Sequence, residues 1–348
     1  MNFQNEIVGW YMTHKRDLPW RNTTDPYVIW LSEVILQQTR VDQGLPYFYK
    51  FLARFPTVHD FAAASEDEVL KLWQGLGYYS RGRNMLITAR EVVHKYHGVF
   101  PNHYDALIRL KGIGTYTAAA ISSFSSNENR AVVDGNVLRV LARYFAIEEP
   151  VNGQAGRMIS EQLASDLVKD QQAAVYNQAI MEFGALQCKP KSPDCAACVV
   201  AVGCGALKKD LVAVLPRKVK KSKPRERWFT YFILQNEGHI YMKQRQPGDI
   251  WGKLYDFPLI ESATSPDDQE AAFTAQMKEH FGKDVSLRFL SRQKQVLSHQ
   301  IIYAQFFALE NYMINFNLQT EIKSVLLQEF KSLPHPKIIS DFVAVYLS

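Results

Sequence analysis

From Asn5 to about Leu186 apolar residues return at intervals of three and four, and the strict alternation of half-buried strands is scarce. This periodicity predicts a run of helices at 4–14, 26–40, 45–54, 66–73, 80–97, 104–110, 115–126, 135–146, 155–168 and 171–186, punctuated by Pro, Gly, Asp or Ser. After Pro224 the texture changes. Trp228 to Leu234 and His239 to Lys243 read as strands around the break Asn236-Glu237-Gly238. Further strands are expected at 285–290, 294–298 and 301–309, with helices near 267–281 and at 337–346. The chain therefore divides into a mainly α region at 1–207, a connector at 208–227 and an α+β domain at 228–348. No fixed-period repeat is visible.

Composition adds little until charge is located. With 348 residues, 47% hydrophobic and 22% charged, the chain has an ordinary globular balance and length enough for two domains. Met1 to Arg16 mixes Asn, Gln, Glu, His, Lys and Arg among its apolar residues, unlike a signal peptide or membrane span, so a soluble, cytoplasmic protein is expected. The net charge of +5 concentrates in the connector, where Lys208 to Arg227 holds nine Lys or Arg against Asp210 and Glu226. Such a block suits a polyanion such as nucleic acid, and equally a solvated tether between domains.

The four cysteines are Cys188, Cys195, Cys198 and Cys204, spaced C-x6-C-x2-C-x5-C. Disulfides suit an oxidising compartment and sit poorly with this clustering. Four thiolates can hold either zinc or an iron–sulfur centre, and ligand type alone leaves both open.

Candidate chemistry lies upstream. Lys111-Gly112-Ile113-Gly114-Thr115-Tyr116, with apolar helical segments on both sides, reads as helix, Gly-x-Gly turn, helix over about 104–126. Gly112 and Gly114 would let backbone N–H groups approach a phosphate, and the next helix would offer the same anion its positive end. Downstream, Asp134 in Val132-Val133-Asp134-Gly135-Asn136-Val137 stands where a helix N-cap belongs. Backbone N–H bonds to a capping carboxylate would lower its pKa and keep it ionised. Glu33 sits in Ile29-Trp30-Leu31-Ser32-Glu33-Val34-Ile35-Leu36, apolar almost all round, with Gln37 on its face. Desolvation there would raise its pKa toward the operating pH, unless Arg16, Arg21 or Arg40 pairs with it as a structural ion pair. One carboxyl kept acidic and one kept anionic suit cleavage of a glycosidic bond through an oxocarbenium-like transition state.

Taken together, WLSEVILQQT (30–39), GLGYYSRGRN (75–84), GIGTYTAAAI (112–121), VDGNV (133–137) and the cysteine spacing resemble the MutY adenine-DNA glycosylases of the endonuclease III superfamily. The likeness covers residues 1 to about 210 closely and continues more faintly beyond. It implies a helix-hairpin-helix glycosylase fold followed by a Nudix-like domain, and one [4Fe–4S] cluster on Cys188, Cys195, Cys198 and Cys204. It also implies action on double-stranded DNA containing adenine opposite 8-oxoguanine or guanine, with the adenine flipped out of the stack; one lesion and one flipped base require no symmetry, so a monomer is expected. By resemblance Glu33 protonates adenine at N7, Asp134 stabilises the sugar cation, and Tyr116 and Asn136 support them. Where strand-cutting relatives carry a Schiff-base Lys this chain has Tyr116, which implies a monofunctional enzyme.

The same resemblance assigns Arg16, Trp20, Arg21, Leu36 and Gln178, with Glu182 beside them, to the flipped base. It gives Gln37, Gln38, Thr39 and Tyr78 to the opposite strand, where Tyr78 would wedge by stacking. In the C-terminal domain the family's Phe-Ser-His turn becomes Leu297-Ser298-His299, so Ser298 and His299 are expected to meet the lesion on a turn that lacks its aromatic residue. No Nudix catalytic box is present, and nucleotide hydrolysis there is not expected.

Overall fold

The computed structural model describes residues 2–219, 223–265, 286–310 and 322–347. The expected helix near 267–281 lies outside them. Two compact units emerge: Met1–Ala64 with Asn84–Lys221, and Ser65–Arg83 with Ser222–Ser348.

The first unit is helical. Its α1 (Phe3–His14) starts at the Asn2 cap, whose side chain accepts from the backbone of Gln4 and Asn5, and packs on the late helix α11 (Ala173–Leu186). Asp25 caps α2 (Pro26–Leu36) through Tyr27 N, with Pro26 at the first helical position. Residues from Ile29 to Ile35 are all buried, as an all-round apolar sequence requires. Helix α2 stops at Leu36, short of the expected residue 40, because Gln37 turns to ψ 120° and Gln38 enters the left-handed region at φ 59°. That break turns Gln37, Gln38 and Thr39 away from the helix and leads into α3 (Val41–Arg54).

A short helix, α4 (Val58–Ala63), was not expected from periodicity, yet Thr57 and Asp60 form a reciprocal capping box at its start. Trp30, Phe48, Phe51, Phe55 and Phe61 are fully buried together against α2, α3 and α4. A second core joins Ile7, Trp10, Val137, Leu141, Tyr176, Ile180 and Phe183 from α1, α11 and α9 (Gly135–Tyr144). Among the described residues no helix is long and apolar enough to cross a membrane.

The expected helical hairpin is present in shortened form. Its first helix runs only from Tyr104 to Leu107, after which Leu110 N bonds Leu107 O and Ile113 N bonds Leu110 O, a succession of tight turns. Gly112 has φ +76°, and a Cβ there would lie 2.7 Å from the Asn84 Cβ. Gly114 caps the following helix, α8 (Thr115–Ser126), with open space where a Cβ would stand.

In the second unit one sheet has the order β5-β1-β7-β6, with β1 (Arg225–Ile233) parallel to β7 (Gln300–Glu310) and antiparallel to β5 (Leu259–Ser262), and with β6 (Ser286–Val296) at the edge beyond β7. The strands expected at 285–290 and 294–298 are one strand, β6 (Ser286–Val296), whose pairing with β7 shifts register between Phe289 and Ser291. A break of this kind is a bulge, and it interrupts the alternation that pattern reading relies on. Strand β3 (His239–Gln244) anchors the other sheet, and the helix Lys337–Tyr346 falls where expected. Residues 65–83 belong with this unit: Gln74 Nε2 donates to Ser340 Oγ at 2.8 Å and Arg83 Nη1 to the Gly252 carbonyl at 2.5 Å.

The basic stretch is partly used up internally. Arg217 pairs with Glu148 at 2.8 Å, and its carbonyl accepts from Val151 N. Arg227 is buried in β1 between Asp249 and Glu261.

Candidate active site

A cavity of about 450 Å³ in the helical unit gathers most of the residues singled out in the sequence. Arg16, Trp20, Arg21, Glu33, Leu36, Gln37, Gln38, Thr39, Tyr116, Asp134, Asn136 and Gln178 all line it, together with Glu182. They arrive on the loop after α1, the end of α2 with its break, the first turn of α8, the cap of α9, and one face of α11.

Glu33 is 8% exposed, and Tyr116 Oη donates to its Oε2 at 2.9 Å. Burial raises the Glu33 carboxyl to about 7, against the lowering effect of the Tyr116 bond. Nearby Asp134 raises it further, and Arg21 lowers it. Among the described contacts Glu33 has no ion pair with Arg16, Arg21 or Arg40, and Arg16 and Arg21 serve Glu182 instead. Arg16 donates to Glu182 from its backbone N, Nε and Nη2 at 2.9, 2.9 and 2.8 Å, and Arg21 from Nη2 at 2.7 Å. Burial would raise the Glu182 carboxyl, but these hydrogen bonds hold it at about 2. Glu182, which the sequence places beside the pocket residues, is in the fold the anchor of both arginines.

Asp134 is the N-cap of α9. Its Oδ1 accepts from Asn136 N at 2.8 Å and Val137 N at 2.7 Å, and its Oδ2 from Asn136 Nδ2 at 2.7 Å. The expected lowering of its pKa is not what this environment gives. Burial raises the carboxyl, and the N–H donors oppose that rise without reversing it. Asn136 is in turn held by Arg139 Nη2 at 2.8 Å, while Arg139 Nε donates to the Cys188 carbonyl at 2.8 Å. Arg139 escaped the sequence reading, although a cation three positions beyond Asn136 shares its helix face.

The remaining candidates have identifiable supports. Trp20 is buried and meets Phe48 edge to face with ring centroids 5.1 Å apart. Gln37 Nε2 donates to Thr117 Oγ1 at 3.1 Å, and Gln178 Oε1 accepts from Tyr11 Oη at 2.8 Å.

The cysteines are unbridged and half-buried, and all four line one cavity between α9, the end of α11 and the 188–204 loop. Among the described residues no three Cys, His, Asp or Glu side chains form a group that could hold a metal ion as they stand. Arg143 Nη1 approaches Cys188 Sγ at 3.4 Å and also donates to the Lys189 carbonyl at 2.7 Å. Burial and the neighbouring cysteines push the Cys198 thiol up to about 11. Thiols crowded this way stay protonated on their own, and a bound cation would favour their thiolates.

In the second unit a cavity of about 420 Å³ brings together Tyr78, Leu297, Ser298 and His299, with Asp249 and Trp251 facing them. Tyr78 is 47% exposed at φ +49°, and its hydroxyl shares a short hydrogen bond with Ser298 Oγ. Sequence reading singled out these residues separately; no local signal predicted that Tyr78 and Ser298 would touch.

A helical unit with a glycine hairpin and a capped aspartate across a cavity from a buried glutamate defines the class. Residues 31–165 match the HhH-GPD superfamily of base excision DNA repair proteins, and residues 230–345 match the NUDIX domain. A solved thermostable thymine-DNA glycosylase is similar over 60% of this chain and 95% of its own, with TM-score 0.55 and 30% identity. The adenine DNA glycosylase of Buchnera aphidicola subsp. Baizongia pistaciae is 33% identical over 303 residues, covering 86% of this chain and 84% of that protein. That of Mus musculus is 32% identical over 362 residues, covering 88% and 70%. The chain belongs to the adenine DNA glycosylase family, hydrolases of N-glycosyl bonds that act in base excision repair.

Proposed function

We propose that this enzyme flips adenine out of duplex DNA where it faces 8-oxoguanine or guanine and hydrolyses its glycosidic bond without cutting the strand. The observation that carries this reading is the carboxyl pair on one cavity. Glu33 is neutral over much of the range below about 7, while Asp134 is held by three N–H bonds. Glu33 delivers its proton to adenine N7, which makes the base a better leaving group as the C1′–N9 bond opens. Asp134 stabilises the positive charge left on the sugar, and water completes the addition at C1′. Tyr116 orients Glu33 and, lacking an amine, forms no Schiff base with the opened sugar.

Arg16, Trp20, Arg21, Leu36 and Gln178 shape the pocket for the extruded base. Gln37, Gln38, Thr39 and Tyr78 face the opposite strand, and Ser298 and His299 read the oxidised guanine. Gly112 and Gly114 bring backbone N–H groups to a phosphate. Cys188, Cys195, Cys198 and Cys204 would hold one [4Fe–4S] cluster, which would tie the 188–204 loop together. The enzyme acts as a monomer, with 1–207 as the catalytic domain and 228–348 as the lesion-reading domain. Brown protein with broad visible absorption and four irons per chain is expected; colourless, zinc-containing protein would overturn the cluster assignment.

The deciding experiment is single-turnover cleavage of duplexes containing A:8-oxoguanine, A:G or thymine glycol, with and without alkali, for the wild type and Glu33→Gln. Breaks at adenine only after alkali, lost in Glu33→Gln by a factor of about 10² to 10⁴, are expected. Alkali-independent breaks at thymine glycol would assign a strand-cutting activity instead, and binding without base loss would leave a recognition scaffold.

A further inference from the structure

Next to the Leu297-Ser298-His299 turn lies an ion cluster, centred on the buried Arg227, that the catalytic reading does not use. Arg227 is 6% exposed, and each of its five N–H groups has an acceptor. Nε and Nη2 donate to Glu261 at 2.7 and 2.6 Å, and Nη1 and Nη2 to Asp249 at 2.7 and 2.8 Å. The remaining Nη1 proton goes to Gln300 Oε1 at 3.0 Å. Arg245 shares Asp249 Oδ2 with Arg227, donating to it from Nη2 at 2.5 Å, bonds Asp256 at 2.9 Å and donates to the Ile250 carbonyl at 3.1 Å.

This cluster reaches both walls of the second cavity. Asp249 accepts from Ile250 N at 2.7 Å and begins the 249–251 wall. Gln300 closes the opposite turn: its carbonyl accepts from Leu297 N at 2.8 Å, and the preceding His299 carbonyl accepts from Arg225 N at 3.0 Å. An ion cluster around a buried arginine with partly exposed carboxylates is a weak stabiliser, since apolar residues of similar volume often serve as well. What an apolar replacement could not do is fix two loops by directional bonds from one planar fork.

We propose that Arg227, acting through Gln300 on one wall and Asp249 on the other, is a positioning residue that presents Ser298 and His299 to the oxidised guanine in a preset arrangement. The proposal rests on the reading that this turn contacts the base opposite adenine. Asp249 is held well below the usual carboxylate range, first by its bonds from Arg227, so the cluster keeps its charges across neutral pH.

The test uses the full chain and the ratio of single-turnover rates on A:8-oxoguanine and A:G. Gln300→Ala, which removes one acceptor and leaves both arginine–carboxylate pairs, is expected to lower that ratio roughly tenfold, the scale of one charge-assisted hydrogen bond. Its melting temperature should fall only slightly, by the cost of one unpaired N–H, and Gln300→Glu, which restores the acceptor, should recover both the ratio and the melting temperature. An unchanged ratio in Gln300→Ala overturns the proposal, as does an equal fall on both duplexes with a lower melting temperature. The double substitution Ser298→Ala with His299→Ala separates the two layers. If it loses the 8-oxoguanine preference while Gln300→Ala keeps it, only the positioning role fails; if the double variant keeps the preference, the reading of the turn fails with it.

Discussion

At the scale of single residues, the chemistry turns on a conflict at Glu33. Its burial favours the neutral acid, while Tyr116 donates to the charged form and restrains the shift at about 7. The rate should therefore fall as pH rises through about 7, where the proton to be delivered is lost, and fall again in acid as Asp134 takes up a proton and loses its charge. Tyr116→Phe removes a bond that favours the anion, so the alkaline limb should move to higher pH; a limb that stays in place or moves down would deny Tyr116 this role. The same shift carries a stability cost with a definite sign. A carboxyl whose pKa is raised in the folded state stabilises that state fully only below its unfolded value, and the contribution is lost as pH climbs through about 7. Glu33→Gln should then melt higher than the wild type at pH 8, by on the order of 1 to 3 kcal/mol, and little differently at pH 4. Thermal melts of the two proteins at both pH values check this, and an equal difference at each would point to packing instead.

At the scale of elements, the local signals were read well where one residue type has one conformational use. Asp25, Pro26 and Asp134 mark helix starts, and each is found at one. The apolar run 29–35 was read as a helix containing a buried carboxyl, and it is one. Reading failed where tertiary contacts decide. Helix α2 ends before residue 37, and Gln37 reaches Thr117, eighty positions on; no local pattern encodes that bond. The bulge in β6 and the pairing of Tyr78 with Ser298 are invisible for the same reason. So was the outcome at Asp134, where the depth of burial outweighs the cap bonds that the sequence made plain. The hairpin glycines offer a test of element geometry. Gly112 combines φ +76° with a Cβ position 2.7 Å from Asn84, whereas Gly114 has an ordinary backbone and open space. Gly112→Ala should cost roughly 1 to 3 kcal/mol in denaturant unfolding, and Gly114→Ala about 0.5 kcal/mol or less. If Gly114→Ala nonetheless weakens binding to an undamaged duplex while folding normally, close phosphate approach at that position is supported.

At the scale of the whole molecule, the question is how much of the positive charge is available to DNA. The connector run of nine cations looks like the obvious phosphate contact, yet Arg227 is consumed by two carboxylates and Arg217 is tied to Glu148. By contrast Lys189 and Lys191 stand exposed on the cysteine loop, with no acid paired to them among the described contacts. A loop fixed by four cysteine ligands can hold such charges in register with a backbone, whereas a tether attracts a polyanion only diffusely. Each phosphate neutralised on duplex DNA contributes about 0.9 to the slope of log affinity against log salt. Replacing Lys189 and Lys191 with alanine should then reduce that slope by nearly two if both touch phosphate, and weaken binding equally on matched and mismatched duplexes, because phosphates carry no sequence information. Arg227→Lys should leave the slope alone and change only the preference between mispairs. An unchanged slope in the lysine variant would move the phosphate contacts to the connector, where substitution of Lys208, Lys209 and Lys218 would have to account for them.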